Sequence, residues 1–338
     1  MDWDTRLVDS HDPNPEPGTL APKAAKLIED QKKSWPLLQE GYAGLETVEL
    51  KRLLIPGTKG ANVVVQHNPA RIRSTAAAVD AESIRSRQCF LCAANLPKEE
   101  KAIGYGRGLV IACNPFPVLD RHLSIIHRDH IEQKIDGNAE CVLSLARDLG
   151  PEYFTLYNGP RSGASAPDHL HFQACSRALL PIQDDLRRFG LAELTTGNRA
   201  PFVHSLEDCG RSVIVVRGTD LSSIAAIIHT AVARLPIGPA LQVESNQEPM
   251  LNLISAFDEP MWTVYLFPRS QHRPSFYFSK DEDRLTVSPG AIDMAGVIVV
   301  PDREHFDRIG PQQVGQIFSE VSVDSGLVRR IVQDLQRG

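Results

Sequence analysis

What the sequence lacks narrows it first. No run approaches the roughly 18 consecutive apolar residues of a membrane-spanning helix, so no membrane partner is expected. Charge of neither sign dominates: 36 Lys and Arg stand against 42 Asp and Glu, a net charge of -6, and neither half carries the basic surface that binds nucleic acid. An anionic ligand must then be held by local donors rather than by a global field. The first stretch, MDWDTRLVDSHDPNPEPGTL, is polar and acidic and lacks the apolar core of a signal peptide. Six cysteines in 338 residues do not make a disulfide framework. Together these absences point to a reducing, cytoplasmic setting. No strong internal sequence repeat is visible.

What is present is ordinary globular material, 42% hydrophobic and 23% charged, at a length that suggests about two domains. Residues 1–60 read as a lead-in, loose over 1–20, followed by a helix in APKAAKLIEDQKKSWPLLQEGYAGL that breaks near Pro36. Residues 61–195 read as one half. A strand in ANVVVQH stops at Asn68-Pro69; strand, turn and strand follow in GLVIACNPFPVLDRHLSIIHRDH; NAECVLSLARDLG is helical; EYFTLYN and the stretch around HLHFQ are strands. Residues 196–338 restart the pattern: a strand in RSVIVVRG, a helix after Asp220 as N-cap, two strands about an Asp-Glu-Pro turn, a strand in GVIVV and a closing helix. The class expected is α+β, with two halves of antiparallel sheet and packed helices. A similar order of elements in the two halves suggests an internal duplication.

The stretch SAPDHLHFQACS, Ser165 to Ser176, carries the chemistry. In a strand, positions i, i+2 and i+4 share a face, so His169, His171 and Gln173 would project together while Leu170, Phe172 and Ala174 point to a core. A neutral imidazole can attack phosphorus and hold a nucleotidyl group covalently, splitting one displacement into two. The preceding NGPRSGAS supplies donors for phosphoryl oxygens: backbone N–H groups, the Ser162 and Ser165 hydroxyls and Arg161, with Gly159 and Gly163 allowing close approach. Asn158 ends the strand before this loop and is placed to face phosphates. Arg71 and Arg73 in NPARIRST are candidates for diphosphate oxygens. The spacing Cys89-Phe-Leu-Cys92 suits metal or redox chemistry, but no strand precedes it as a thioredoxin-like site requires. A tetrahedral zinc needs two more ligands. His169 is one candidate, and His122, His127 and His130 compete for the other place.

NGPRSGASAPDHLHFQ resembles the active-site signature of the histidine-triad superfamily, in particular its transferase branch with His-x-His-x-Gln, which includes galactose-1-phosphate uridylyltransferases, diadenosine tetraphosphate phosphorylases and GDP-hexose phosphorylases. The resemblance is densest over about residues 60–180, and Ser165 lies one residue further from the second histidine than in the first two of these patterns. It implies two histidine-triad-like halves, the second non-catalytic, with His171 as nucleophile and Gln173 on the phosphoryl group. It selects Cys89, Cys92, His130 and His169 as ligands of a structural zinc, with His127 the runner-up and His122 left to packing or hydrogen bonding. It makes Asn114, in a turn that lines the base and ribose site of relatives, a nucleotide contact, against the simpler reading of a turn-forming Asn. Arg269 and Arg273 are candidates for meeting a second substrate. The function implied is transfer of a nucleoside monophosphate through a nucleotidyl-histidine, between a nucleoside diphosphate-sugar and inorganic phosphate or a sugar 1-phosphate. Two alternatives stand beside it: a dinucleoside polyphosphate phosphorylase, and a non-catalytic, zinc-stabilised nucleotide-binding protein. The resemblance admits a homodimer, since some relatives complete their site with a second subunit.

Overall fold

The computed structural model describes residues 2–72, 81–189, 201–236 and 248–337. Its strands are β1 (Leu7–His11), β2 (Glu49–Leu54), β3 (Asn62–His67), β4 (Ala102–Tyr105), β5 (Leu109–Cys113), β6 (Leu123–His127), β7 (Tyr153–Asn158), β8 (His171–Ser176), β9 (Phe202–Leu206), β10 (Val213–Gly218), β11 (Leu251–Asp258), β12 (Met261–Pro268) and β13 (Val297–Val300). Ten of them form one sheet in the order β1-β4-β5-β6-β8-β7-β11-β12-β10-β9. The other three form a small sheet, β13-β3-β2. The class is α+β.

The two halves trace the same path. β5-β6, the helix Ala139–Leu149, then β7-β8 are laid out as 5-6-8-7; β9-β10, the helix Leu221–Ala233, then β11-β12 are laid out as 9-10-12-11. They meet edge to edge where β7 runs antiparallel to β11, from Phe154↔Ala256 to Asn158↔Asn252. This pairing removes two exposed strand edges, which would otherwise offer unpaired N–H and C=O groups. β12, the counterpart of β8, reads MWTVYLFP and has neither histidine nor glutamine.

Both faces of the large sheet are covered. The helices Ala21–Ser34, Ala139–Leu149, Leu221–Ala233 and Ser325–Arg337 bury Leu27, Leu143, Ile228 and Ile331 on one face, in a core with Leu170, Phe172 and Ala174. The small sheet and the helices Pro181–Arg188 and Pro311–Val321 cover the other, around Val63, Cys175, Ile182, Val297 and Ile317. β5, sandwiched this way, is apolar throughout: it reads LVIAC and every residue of it is buried. β2, at the rim of the small sheet, leaves Leu50 and Leu54 exposed.

Two expectations need correction. The lead-in is not loose throughout: β1 pairs in parallel with β4, from Leu7↔Ala102 to His11↔Tyr105. Its polar residues read as coil because an edge strand takes its hydrogen-bond partners from a neighbour, not from its own pattern. The adjoining Arg6 is buried and donates to the carbonyls of Ala93, Leu96, Pro97 and Glu100, which anchors the loop after the Cys89–Cys92 pair. Second, β8 begins at His171, so His169 lies before the strand. Elsewhere the helix breaks as expected at Pro36, between Ala21–Ser34 and Pro36–Glu46, and Asp220 caps its helix by accepting from Ser223 N–H at 2.8 Å. Among the described residues no helix is long and apolar enough to cross a membrane.

Candidate active site and metal centre

Cys89, Cys92, His130 and His169 converge, with their ligand atoms all within 4.8 Å of one another. His169 Nδ1 lies 3.3 Å from Cys89 Sγ and 3.6 Å from Cys92 Sγ, and His130 Nδ1 lies 3.3 Å from Cys92 Sγ. A tetrahedral zinc with ordinary Zn–S and Zn–N bonds sets such S···N separations at about 3.5 Å. The second nitrogens are also arranged. His169 Nε2 donates to the His127 carbonyl at 2.8 Å, which leaves Nδ1 bare toward the sulfurs. His130 Nε2 lies 3.7 Å from Asp168 Oδ2, and Arg87 donates to the other carboxylate oxygen at 2.6 Å. These four residues could hold a metal ion. His127 instead takes part through its carbonyl, and its ring Nδ1 turns back to its own loop at Asp129. The pair sits over a small apolar core of Trp3, Leu91, Val110, Ala112 and Ile126.

His171 and Gln173 share the face of β8 opposite Phe172 and Ala174. His171 Nδ1 donates to the His169 carbonyl at 2.8 Å. A neutral ring with its proton on Nδ1 carries its lone pair on Nε2. Burial pushes the His171 pKa down to about 4, against the opposing pull of that hydrogen bond, so the ring is neutral at pH 7.

A cavity opens beside Gln173, walled by Arg71, His122, Asn158, Gly163, Ala164, Ser165, Arg273 and the segment 290–293. His171 is 4% exposed and does not line it, although Gln173, two residues on, does. Gln173 Oε1 accepts from His122 Nε2 at 2.7 Å. The tautomer follows because His122 Nδ1 accepts the Val118 N–H at 3.1 Å, and burial beside the Arg71 charge pushes its pKa down to about 3. With the amide oxygen engaged, the amide N–H groups are what Gln173 can offer a ligand. Gly163 has φ +105, a region that favours glycine, and a Cβ there would lie 2.9 Å from Gly290 Cα. The loop can seat this closely against the 290 segment because Gly163 lacks a side chain.

The remaining expected contacts divide. Arg71 lines the cavity and donates to the Phe116 carbonyl at 2.7 Å. Arg273 also lines it, with Nε donating to Ser288 Oγ at 3.0 Å. Asn158 lines it while its Oδ1 accepts from Asn252 and from Ala291 N–H, each at 2.8 Å. Arg161 turns away, donating to the Glu248 carbonyl at 2.8 Å. The Ser162 hydroxyl donates to the Leu251 carbonyl at 2.7 Å. Asn114 is outside the cavity lining and accepts Phe116 N–H at 3.0 Å in a two-residue turn. Arg269 is buried and its guanidinium is spent on Asn252 and the carbonyls of Gln271, His272, Pro289 and Val321. Arg73 lies outside the described residues.

Several participants escaped the sequence reading: Gln133, which bonds the His171 backbone, His122 in its orienting role, Asn252 and Glu248. Each is a single polar residue with a bonding partner far away in sequence. The nearest signal was the histidine-rich DRHLSIIHRDH, which offered His122 without saying what it faced.

Residues 27–176 match a family model described as a domain of unknown function, DUF4922. No curated protein sequence matches the chain. Among solved structures, the yeast Ap4A phosphorylase Apa2 aligns with a TM-score of 0.61 at 17% identity, over 89% of this chain and 97% of that one. The chain shares the fold of that protein. The same yeast protein in complex with Ap4A aligns with a TM-score of 0.59 at 17% identity, over 89% and 97% of the two chains. Its complex with AMP gives 0.54 at 18% identity, over 89% and 96%. At these identities the likeness is one of fold.

Proposed function

We propose that this protein is a nucleotidyltransferase or phosphorylase that works through a nucleotidyl-histidine. The observation that carries the reading is the tautomer of His171: Nδ1 is tied to the His169 carbonyl, which makes Nε2 the nucleophilic nitrogen. In the first step Nε2 forms a bond to the α-phosphorus of a nucleoside diphosphate-sugar while the bond to the bridging oxygen breaks. The sugar 1-phosphate leaves as an anion and needs no proton. The ring then bears positive charge, which the His169 carbonyl offsets through the retained Nδ1–H. In the second step an oxygen of inorganic phosphate, or of another sugar 1-phosphate, attacks the same phosphorus and the N–P bond breaks. Gln173, oriented by His122, donates to the transferring phosphoryl group. Arg71 and Arg273 bring positive charge to the cavity, which suits phosphate.

Cys89, Cys92, His130 and His169 would hold a zinc ion in a structural role, since four protein ligands leave no open position for water. Zinc supplies no chemistry to the transfer in this reading; it fixes the backbone from which His171 projects.

A second donor, differing only in its leaving group, is favoured by a specific observation. The similar structures include the yeast protein bound to Ap4A and to AMP. A dinucleoside polyphosphate fits the same two steps, with a nucleoside polyphosphate as leaving group. The test is brief incubation with α-labelled nucleoside diphosphate-sugars and with labelled Ap4A, each with and without inorganic phosphate. Acid-labile, base-stable label on His171 that phosphate discharges supports the reading. Nucleotide binding without label on any substrate favours a non-catalytic, zinc-stabilised binding protein.

A further inference from the structure

β7 and β8 pair in register from Tyr153↔Ser176 to Leu156↔Gln173. Two residues further on, the same register would set Asn158 opposite His171. That pairing is not made. Asn158 stays with β11, opposite Asn252, and the side chain of Gln133 fills the gap. The His171 N–H donates to Gln133 Oε1 at 2.8 Å. Gln133 Nε2 donates to the His171 carbonyl at 3.1 Å and to the Asn158 carbonyl at 2.9 Å. A primary carboxamide has one acceptor and two donors, and here all three roles are used. Gln133 is 2% exposed, so loss of these bonds would leave buried backbone groups unsatisfied.

The segment that carries Gln133 is pinned on both sides. The Leu170 N–H donates to the Ile131 carbonyl at 2.8 Å, and the Ile135 N–H donates to Glu248 Oε1 at 2.6 Å. The start of β8 is thus held between β6, through Ile126↔His171, and this segment.

We propose that Gln133 is a positioning residue for His171: its carboxamide stands in for a peptide unit between β7 and β8 and wedges them into a fork. The phosphate-facing loop leaves from one arm of the fork, and the nucleophile sits at the start of the other. The wedge fixes the His171 peptide on both sides, and with it the approach of the ring to the His169 carbonyl two residues back. The catalytic part of the inference rests on the function proposed above; the structural part does not.

The experiment uses the full chain and two variants, Q133M, which keeps length and loses every bond, and Q133E, which keeps the acceptor and loses both donors. Metal content and a melting curve establish that each is folded. In the unaltered protein the His171 amide should exchange with solvent at least about 100-fold slower than in an unstructured peptide, although it lacks a strand partner on that side. At a fixed pH of 7.5, 15N-histidine spectra should show His171 wholly as the Nδ1–H tautomer, and a mixture in Q133M. Single-turnover labelling should fall about 30–100-fold in Q133M with half-saturation changed less than about threefold, and Q133E should lie between. An unprotected His171 amide overturns the proposal, as does a folded Q133M with unchanged tautomer and labelling rate. Should neither variant fold, amide exchange in the unaltered protein decides. Should the unaltered protein take up no label from any nucleotide, the transferase reading fails, while exchange and tautomer still test the wedge.

Discussion

The His169 carbonyl accepts from His171 Nδ1 at 2.8 Å, while the His169 ring turns to Cys89 and Cys92. One residue therefore joins the cysteine-histidine cluster to the proposed nucleophile, with its ring serving the first and its backbone the second. A change that rotates the 169 peptide would alter which nitrogen of His171 carries the proton, without touching His171 itself.

Replacing the nucleophile gives the sharpest outcome. H171A should take up no covalent nucleotide while binding substrate within about threefold of the unaltered protein, because the donors that line the cavity, Arg71, Gln173 and Arg273 among them, do not include His171. Mass spectrometry of protein quenched at neutral pH would show it. Label persisting in H171A would remove His171 from its role.

The cluster should bind one metal ion per chain. C89S and H130A should lose most of it, and chelation should lower the melting temperature by several degrees. Labelling should fall with the metal, although none of the four residues touches the proposed phosphorus, because His169 also holds the His171 proton. Elemental analysis beside labelling rates on the same samples would test both statements. Metal-free protein with full stability and rate would contradict them.

His122 should act through Gln173. Without its Nε2–H the Gln173 amide loses the bond that fixes its orientation, so H122F should slow labelling about 10-fold or more and change half-saturation little. H122Q, which can still donate to Oε1, should recover part of the rate. An equal loss in both variants would point to packing alone.

Glu248 supplies a pH dependence. Burial raises its pKa to about 7, against hydrogen bonds from Tyr157 OH and the Ile135 N–H, each at 2.6 Å. Its unfolded value is near 4.5. The folded chain therefore keeps a proton that the unfolded chain releases, and stability from this group is full below about pH 4.5 and lost as pH rises through about 7. E248Q should flatten that loss, by about 1–3 kcal/mol between pH 5.5 and 8. Urea melts of both proteins at the two pH values would check it, and parallel slopes would refute it.

Local chemistry made part of this molecule readable. Pro36 broke the first helix, Asn68-Pro69 stopped β3, Asp220 capped its helix, and alternation put Phe172 and Ala174 into the core opposite Gln173. Such features depend on residues a few places apart, so the sequence displays them directly. The pairing of His169 with the two cysteines was visible as chemistry, through a motif with one histidine to spare. That His169 stands outside β8 was not visible, because alternation continues on paper past the point where the strand ends.

By itself, then, the order of residues displayed many of the strand and helix segments, a similar order of elements in the two halves and a cluster of histidines, cysteines and a glutamine around one short stretch. Only the tertiary structure decided that β7 and β11 fuse the halves into one sheet, that β1 closes against β4, that Arg71 and Ser165 line the cavity while Arg161 and Asn114 do not, and that Gln133 holds the His171 backbone and His122 the Gln173 side chain. The reason is physical. Periodicity reports which face a residue takes within its own element, whereas the partner of a lone buried amide or imidazole is chosen by which distant backbone group would otherwise go unbonded.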